Sequence, residues 1–131
     1  NITIDQNIVY NSGTLAGIQN IPQLVLIGNN ITIAEGVTQV DAWLIATNTL
    51  STCDRNQSDL RSTNCNLPLR INGPVMASQL LLNRTANSPT DPTAAAEVIN
   101  LRGDAYIWAN RITRQNGSWQ TVYTTELPPR Y

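Results

Sequence analysis

Short apolar runs broken by Asn and Gly set the rhythm of this chain. Ile2 and Ile4 alternate with Thr3 and Asp5, and Ile8-Val9-Tyr10 follows before Asn11-Ser12-Gly13. A period of two predicts short strands, and the Asn/Gly clusters predict turns. After Pro22, the unbroken run Leu24-Val25-Leu26-Ile27 predicts a strand covered on both faces and ended by Gly28-Asn29. Ile31-Thr32-Ile33 alternates and turns at Glu35-Gly36. Val37 to Thr47 continues with strand-forming residues around Trp43-Leu44-Ile45. Leu69-Arg70-Ile71 alternates again, Asn72-Gly73-Pro74 turns, and Val75 to Asn83 carries Leu80-Leu81-Leu82.

Two of these stretches are alike. ITIAEGVTQVDAWLIATN (31–48) and LRINGPVMASQLLLNRTAN (69–87) share an alternating triplet, a Gly turn, a Val and a longer apolar strand ending in Asn. ITIDQNIVYN at the start is a shorter version. Copies recur at roughly 30 to 40 residues, the spacing of coiled repeat architectures. Each turn of such a coil stacks its apolar positions on the turn below and cannot bury them alone. Asn suits the corners because it bonds locally and tolerates left-handed backbone. The expected fold is therefore mainly β, a short irregular parallel β-helix (solenoid). An antiparallel β-sandwich is the alternative, since several short turn-bounded strands read similarly.

The pattern changes after Asn87. Asp91 is placed to cap a helix with Pro92 at its first position, and Ala94-Ala95-Ala96-Glu97 favours helix. Val98, Leu101, Ala105, Trp108 and Ile112 recur at spacings of three and four, one helix face, but Gly103 interrupts it. This predicts one short helix near 92–101, closed by Gly103, and a C-terminal hairpin of Tyr106–Thr113 with Ser118–Thr125 around Asn116-Gly117. The whole reads as a single β-rich domain: N-terminal strands over 1–20, repeat-like coils over 21–87, and helix plus strands over 88–131.

Composition narrows the chemistry. The 131 residues carry 8 Lys+Arg and 9 Asp+Glu, a net charge of −1, and only 13% charged positions. All eight basic residues are Arg, and Asn (16) and Thr (15) fill the polar positions. Balanced charge argues against nucleic acid as a partner, which demands a basic face. Without His there is no His-based acid/base catalysis, triad or His metal site; without Lys there is no Schiff base, Ser–Lys dyad or P-loop. No run reaches the ~18 apolar residues of a membrane span. The chain opens on Asn1 rather than Met, as a processed chain or an excised domain would.

Cys53 and Cys65 are the only cysteines, too few for a structural zinc site. As a disulfide they close a polar loop of about 13 residues and contribute roughly 3 kcal/mol in the chain-entropy model; as free thiols they contribute nothing of the kind. The disulfide is the expectation, and it places the chain in an oxidising, extracytoplasmic compartment. Asn-x-Ser/Thr triplets at Asn1, Asn30, Asn56, Asn83 and Asn116 arise readily in so Asn- and Thr-rich a chain.

In this order, PQLVLIG, NNITIAEGVTQVDAWLIA, the Cys-to-Cys loop, LRINGPVMASQLLLNRTA, AEVINLRGDAYIWA and TVYTTELPPRY resemble one family. It is the C-terminal domain of large predicted surface proteins from candidate-phyla (Patescibacteria, Saccharibacteria-like) bacteria. The resemblance covers most of residues 21–131 and leaves out the first twenty; the absence of Lys departs from it. It implies an extracellular or cell-envelope location and brings no activity and no catalytic residues with it.

Other constellations are weaker. Asp54-x-Asn56-x-Ser58 imitates the start of a calcium loop, but Asp59 stands where Gly belongs and Cys65 where the bidentate Glu belongs. Arg102-Gly103-Asp104 has the form of an integrin-type tripeptide, yet sits against the apolar run Ala105-Tyr106-Ile107-Trp108. Nine scattered acids form no evident glycosidase pair, with Asp41 and Asp104 the two to test. Trp43, Trp108 and Trp119 suit core or subunit contacts better than sugar platforms. The reading with most physical support is a non-enzymatic structural or adhesive domain without metal or cofactor. It self-associates, or packs on adjacent repeats of a longer surface protein, through exposed β edges or coil ends. Ile2, Ile4, Ile8, Val9 and Tyr10 form the expected assembly strand, with pairing inside its own chain as the alternative. A carbohydrate-binding module with glycan contacts at Trp119 and Tyr123 is the alternative, and a polysaccharide-cleaving enzyme a more distant one.

Overall fold

A computed structural model describes residues 1–11, 20–85 and 95–116, with the backbone alone for 115 and 116. It is mainly β with one helix. The strands are β1 (Ile2–Ile4), β2 (Val25–Ile33), β3 (Gln39–Val40), β4 (Trp43–Ser51), β5 (Leu69–Asn72), β6 (Val75–Leu81) and β7 (Glu97–Asn100), followed by α1 (Gly103–Asn116). From β2 onward the chain alternates between two sheets, one ordered β1-β2-β4-β6 and the other β3-β5-β7. Every pairing among the described strands is parallel, and neither sheet closes into a barrel. Parallel pairing throughout excludes the antiparallel sandwich for the described residues. Parallel neighbours need a crossover; here each crossover is the passage through the other sheet.

Register explains the core. Ile2, Ile31, Leu50 and Leu80 align across the first sheet, and Ile8, Val40, Ile71 and Ile99 across the second. The middle members of both rows are sealed between the sheets: Ile31, Leu50 and Val40 are 0% exposed and Ile71 1%. Ile4, Ile33, Val37, Ala42, Leu44, Ala46 and Leu69 complete that core. Each buried Ile, Leu or Val contributes about 1.5–3 kcal/mol by leaving water, and the neighbouring strands provide the cover.

Several sequence expectations need correction. The run Leu24–Ile27 starts a strand but is not covered on both faces, since Ile27 is 65% exposed. Gly28-Asn29 does not end it; the register shifts there, as at a bulge, and β2 continues to Ile33. The two similar stretches are offset by seven residues from true equivalence. Ile31–Ile33 lies in the four-stranded sheet and Leu69–Ile71 in the three-stranded one, while the positions that stack are 31 residues apart. The helix expected near 92–101 is absent at its C-terminal half, where Glu97–Asn100 is β7; Asp91 and Pro92 lie outside the described residues. Tyr106–Thr113 belongs to α1 and not to a hairpin, and its intended partner Ser118–Thr125 is outside the described residues. Gly103 opens that helix instead of closing one.

Ala105, Trp108 and Ile112 do share a helix face as their spacing implies. Ala105 is 2% exposed, and Trp108 meets Trp43 edge-on with ring centroids 5.7 Å apart. That contact fixes α1 to the layer of β4. No helix among the described residues is long and apolar enough to cross a membrane.

Candidate assembly face and polar corner

The two inward rows end in the open. Leu80, opposite the 0%-exposed Leu50, is itself 40% exposed, and Ile99, opposite the 1%-exposed Ile71, is 44% exposed. Leu101, just before α1, is likewise 56% exposed. At the other end, Ile2 and Ile8 begin the same rows and are half-buried. Of the expected assembly strand, Ile2 and Ile4 bond along one side to β2, and Ile8 bridges to Val40. Val9 is 60% exposed. β1 and β6 are the rims of the four-stranded sheet, each with one unpaired side among the described strands.

Tyr10 is drawn into a polar corner instead. Asp41, at the turn from β3 to β4, is 5% exposed. Its carboxylate accepts from the Tyr10 N–H (3.0 Å), Gln39 Nε2 (3.0 Å) and Asn72 Nδ2 (2.7 Å). Asn100 Nδ2 then donates to Asn72 Oδ1 (2.9 Å), so one ladder runs from Asp41 through Asn72 to Asn100. The Tyr10 hydroxyl accepts from the Leu24 N–H at 2.9 Å, while Arg102 lies 4.8 Å over its ring and pairs with Asp104. Trp43 Nε1 donates to Gln23 Oε1 at 2.7 Å.

Burial pushes the Asp41 carboxyl up, but the hydrogen bonds from Asn72, Tyr10 and Gln39 and the charge of Arg102 outweigh it, and the net shift is downward. Burial likewise raises the Tyr10 hydroxyl. Arg102 pairs with Asp104 and its charge reaches Asp41, but Asp41 is shifted the wrong way for a general acid, which needs a raised value. The sign has a thermodynamic consequence. A carboxylate depressed in the folded state stabilises it above the unfolded value of about 3.9, and that contribution disappears as pH falls through the lower folded value. The stability gap between the native chain and Asp41→Asn is therefore expected to be widest near neutral pH and to shrink below about pH 4 in urea titrations.

Cys53 and Cys65 form the expected disulfide, both 1% exposed. Their sulfurs lie beside Glu35 in a three-residue cluster of metal-binding type, but sulfurs bonded to each other are not thiolate ligands. Within the loop, Asp54 Oδ1 accepts the Glu35 N–H at 3.1 Å, and Arg55 holds the Glu35 carboxylate through two nitrogens (2.8 and 3.2 Å), lowering its proton affinity. Asp54 and Arg55 thus pin the loop to the β2–β3 turn. Arg102-Gly103-Asp104 pairs with itself rather than projecting from a loop tip. Trp119 and Tyr123, the expected glycan contacts, lie outside the described residues.

Sequence reasoning missed Arg84. It follows β6, is 8% exposed, and its guanidinium donates to five main-chain carbonyls. Nε bonds Thr52 O (2.7 Å), one terminal nitrogen bonds Glu35 O (2.6 Å) and Leu67 O (3.3 Å), and the other bonds Ala34 O (3.0 Å) and Val37 O (2.9 Å). Its own N–H donates to the Glu97 carboxylate at 2.8 Å. Burial lowers its pKa, opposed by Glu97, Asp54 and Glu35. The neighbouring Asn83, first residue of an Asn-x-Thr triplet, is 3% exposed with Nδ2 on Ser51 Oγ (3.1 Å), which removes it as a surface acceptor in the folded chain. No family model, curated protein or solved structure matches this chain.

Proposed function

We propose that the chain is a structural or adhesive domain of an extracellular or envelope-bound surface protein. It is a short parallel β-solenoid whose open coil end assembles with further β layers. One observation carries this reading: Leu80 and Ile99 leave exposed the same rows that are sealed in the layer beneath. An apolar row of that kind gains free energy from any layer that continues it. The buried disulfide supports an oxidising compartment, and the resemblance to bacterial surface proteins supports the envelope. Sedimentation of the native chain is expected to give concentration-dependent assemblies. Leu80→Arg with Ile99→Arg should weaken association at least tenfold, with an unchanged circular-dichroism spectrum. A native chain that sediments as a monomer at every concentration would remove the reading.

A further inference from the structure

The assembly reading leaves open what covers the β6 end, and the inference here rests on that reading. We infer that the occupant is a second copy of this chain, stacked head to tail. The side of β1 left unpaired among the described strands of one copy pairs in parallel with the corresponding side of β6 in the next, placing Ile2 beside Leu80 and Thr3 beside Leu81.

Three observations select this arrangement. First, both ends present the last members of the same two rows, half-buried at the β1 end and exposed at the β6 end. Ile2 and Leu80 are the terminal members of the row through Ile31 and Leu50, and Ile8 and Ile99 of the row through Val40 and Ile71. A single docking event extends both rows at once, as each internal layer does. Second, every pairing among the described strands is parallel, so β1 and β6 are opposite rims of one polar ladder. A copy displaced along the stack meets the rim in the direction the sheet already uses, whereas a two-fold β6-to-β6 contact would have to be antiparallel. Third, neither rim is guarded. β1 (ITI) and β6 (VMASQLL) carry no charge and no proline, the devices by which edge strands ordinarily repel partners. On β7 the single charge, Glu97, is taken up by Thr52 and the Arg84 N–H. A contact that joins different faces of identical copies leaves one face free at each end, and along the stacking direction, where no rotation closes a ring, growth continues into a filament.

The register makes the test specific. Thr3, Thr32, Ser51 and Leu81 form one row, with Thr3 exposed. Adjacent strands lie about 4.8 Å apart, within the Cα separation a disulfide spans. Thr3→Cys and Leu81→Cys are each made with the native Cys53–Cys65 bond retained, and mixed under mild oxidation at a concentration where sedimentation shows assembly. The expected result is a covalent dimer on a non-reducing gel in the mixture only, and a ladder of multimers from the double variant. Leu81→Cys cross-linking to itself as readily would overturn the inference in favour of a two-fold contact. Assemblies that form without the mixed dimer would overturn the head-to-tail register while leaving assembly standing. A chain that stays monomeric by sedimentation would remove both.

Discussion

Arg84→Met is expected to destabilise the fold by about 4 kcal/mol, read as a lower urea midpoint at unchanged slope. The reason is that the carbonyls Arg84 serves lie outside the strands, and of them Ala34 O alone has a second donor among the described residues, the Val37 N–H at 3.1 Å. Ala34, Glu35 and Val37 lie in the turn from β2 to β3, Thr52 just beyond β4, and Leu67 before β5. A planar fork with five N–H groups meets all five acceptors, and a methionine of similar length meets none. Each buried carbonyl left without a donor costs about 1–3 kcal/mol, less whatever water recovers. Arg84→Lys keeps the charge but brings three donors from a single point, and is expected to lose about half as much. Arg70→Met is the control: Arg70 is exposed, and its loss should stay within about 0.5 kcal/mol. A loss below about 1 kcal/mol for Arg84→Met would mean that this side chain does not hold the three turns together.

How much of this was legible in the residues varies with the distance over which the cause acts. Ile2–Ile4, Ile31–Ile33 and Leu69–Ile71 alternate locally and are strands, and the cysteine pair announced its own bond. Which sheet a triplet joins is not local. A triplet, a Gly and a Val recur in both sheets, so matching them by eye put Ile31–Ile33 on Leu69–Ile71 when Gln39-Val40 is what pairs with Arg70-Ile71. The Ala-rich stretch before Val98 has genuine helix propensity. Over the described residues from Glu97 the strand wins, because Glu97 takes hydrogen bonds from Thr52 and Arg84, and Val98 and Ile99 complete the ladder on Arg70 and Ile71. The helix instead forms where Ala105 is buried and Trp108 packs on Trp43.

The polar features were hidden for the same reason. Asp41, Asn72 and Asn100 are separated by 31 and 28 residues and become a ladder only once the layers are in register. Arg84 sits in an Asn-x-Thr triplet between an apolar strand and small polar residues, with no local sign of the carbonyls around it. The open end was half visible: exposed edges were expected, but their location at Leu80 and Ile99 follows from which strand comes last in each sheet.

Gly73→Ala tests that register directly and is expected to cost about 3 kcal/mol or more, beyond the usual range for a single added methyl. Gly73 sits at the corner between β5 and β6, stacked on the corner between β3 and β4. A β-carbon there would fall 2.1 Å from the Ala42 carbonyl oxygen and 2.7 Å from its carbon. Main chain cannot rotate aside as a side chain can, and both corners are held on either side. Gly73 N–H donates to Asn100 O at 2.9 Å, and Leu44 N–H donates to Pro74 O at 3.0 Å. Relieving the clash therefore means separating two layers that also bury Ala42 and Leu44 at 0% exposure. Gly36→Ala is the matched control, since nothing lies within 4 Å of the position its β-carbon would take. It should be neutral or slightly stabilising, because alanine loses less backbone freedom on folding. Equal urea midpoints for the two variants would mean that Gly73 does not rest on Ala42. The alignment of Val40 with Ile71 and Leu44 with Val75 would fall with it, along with both inward rows.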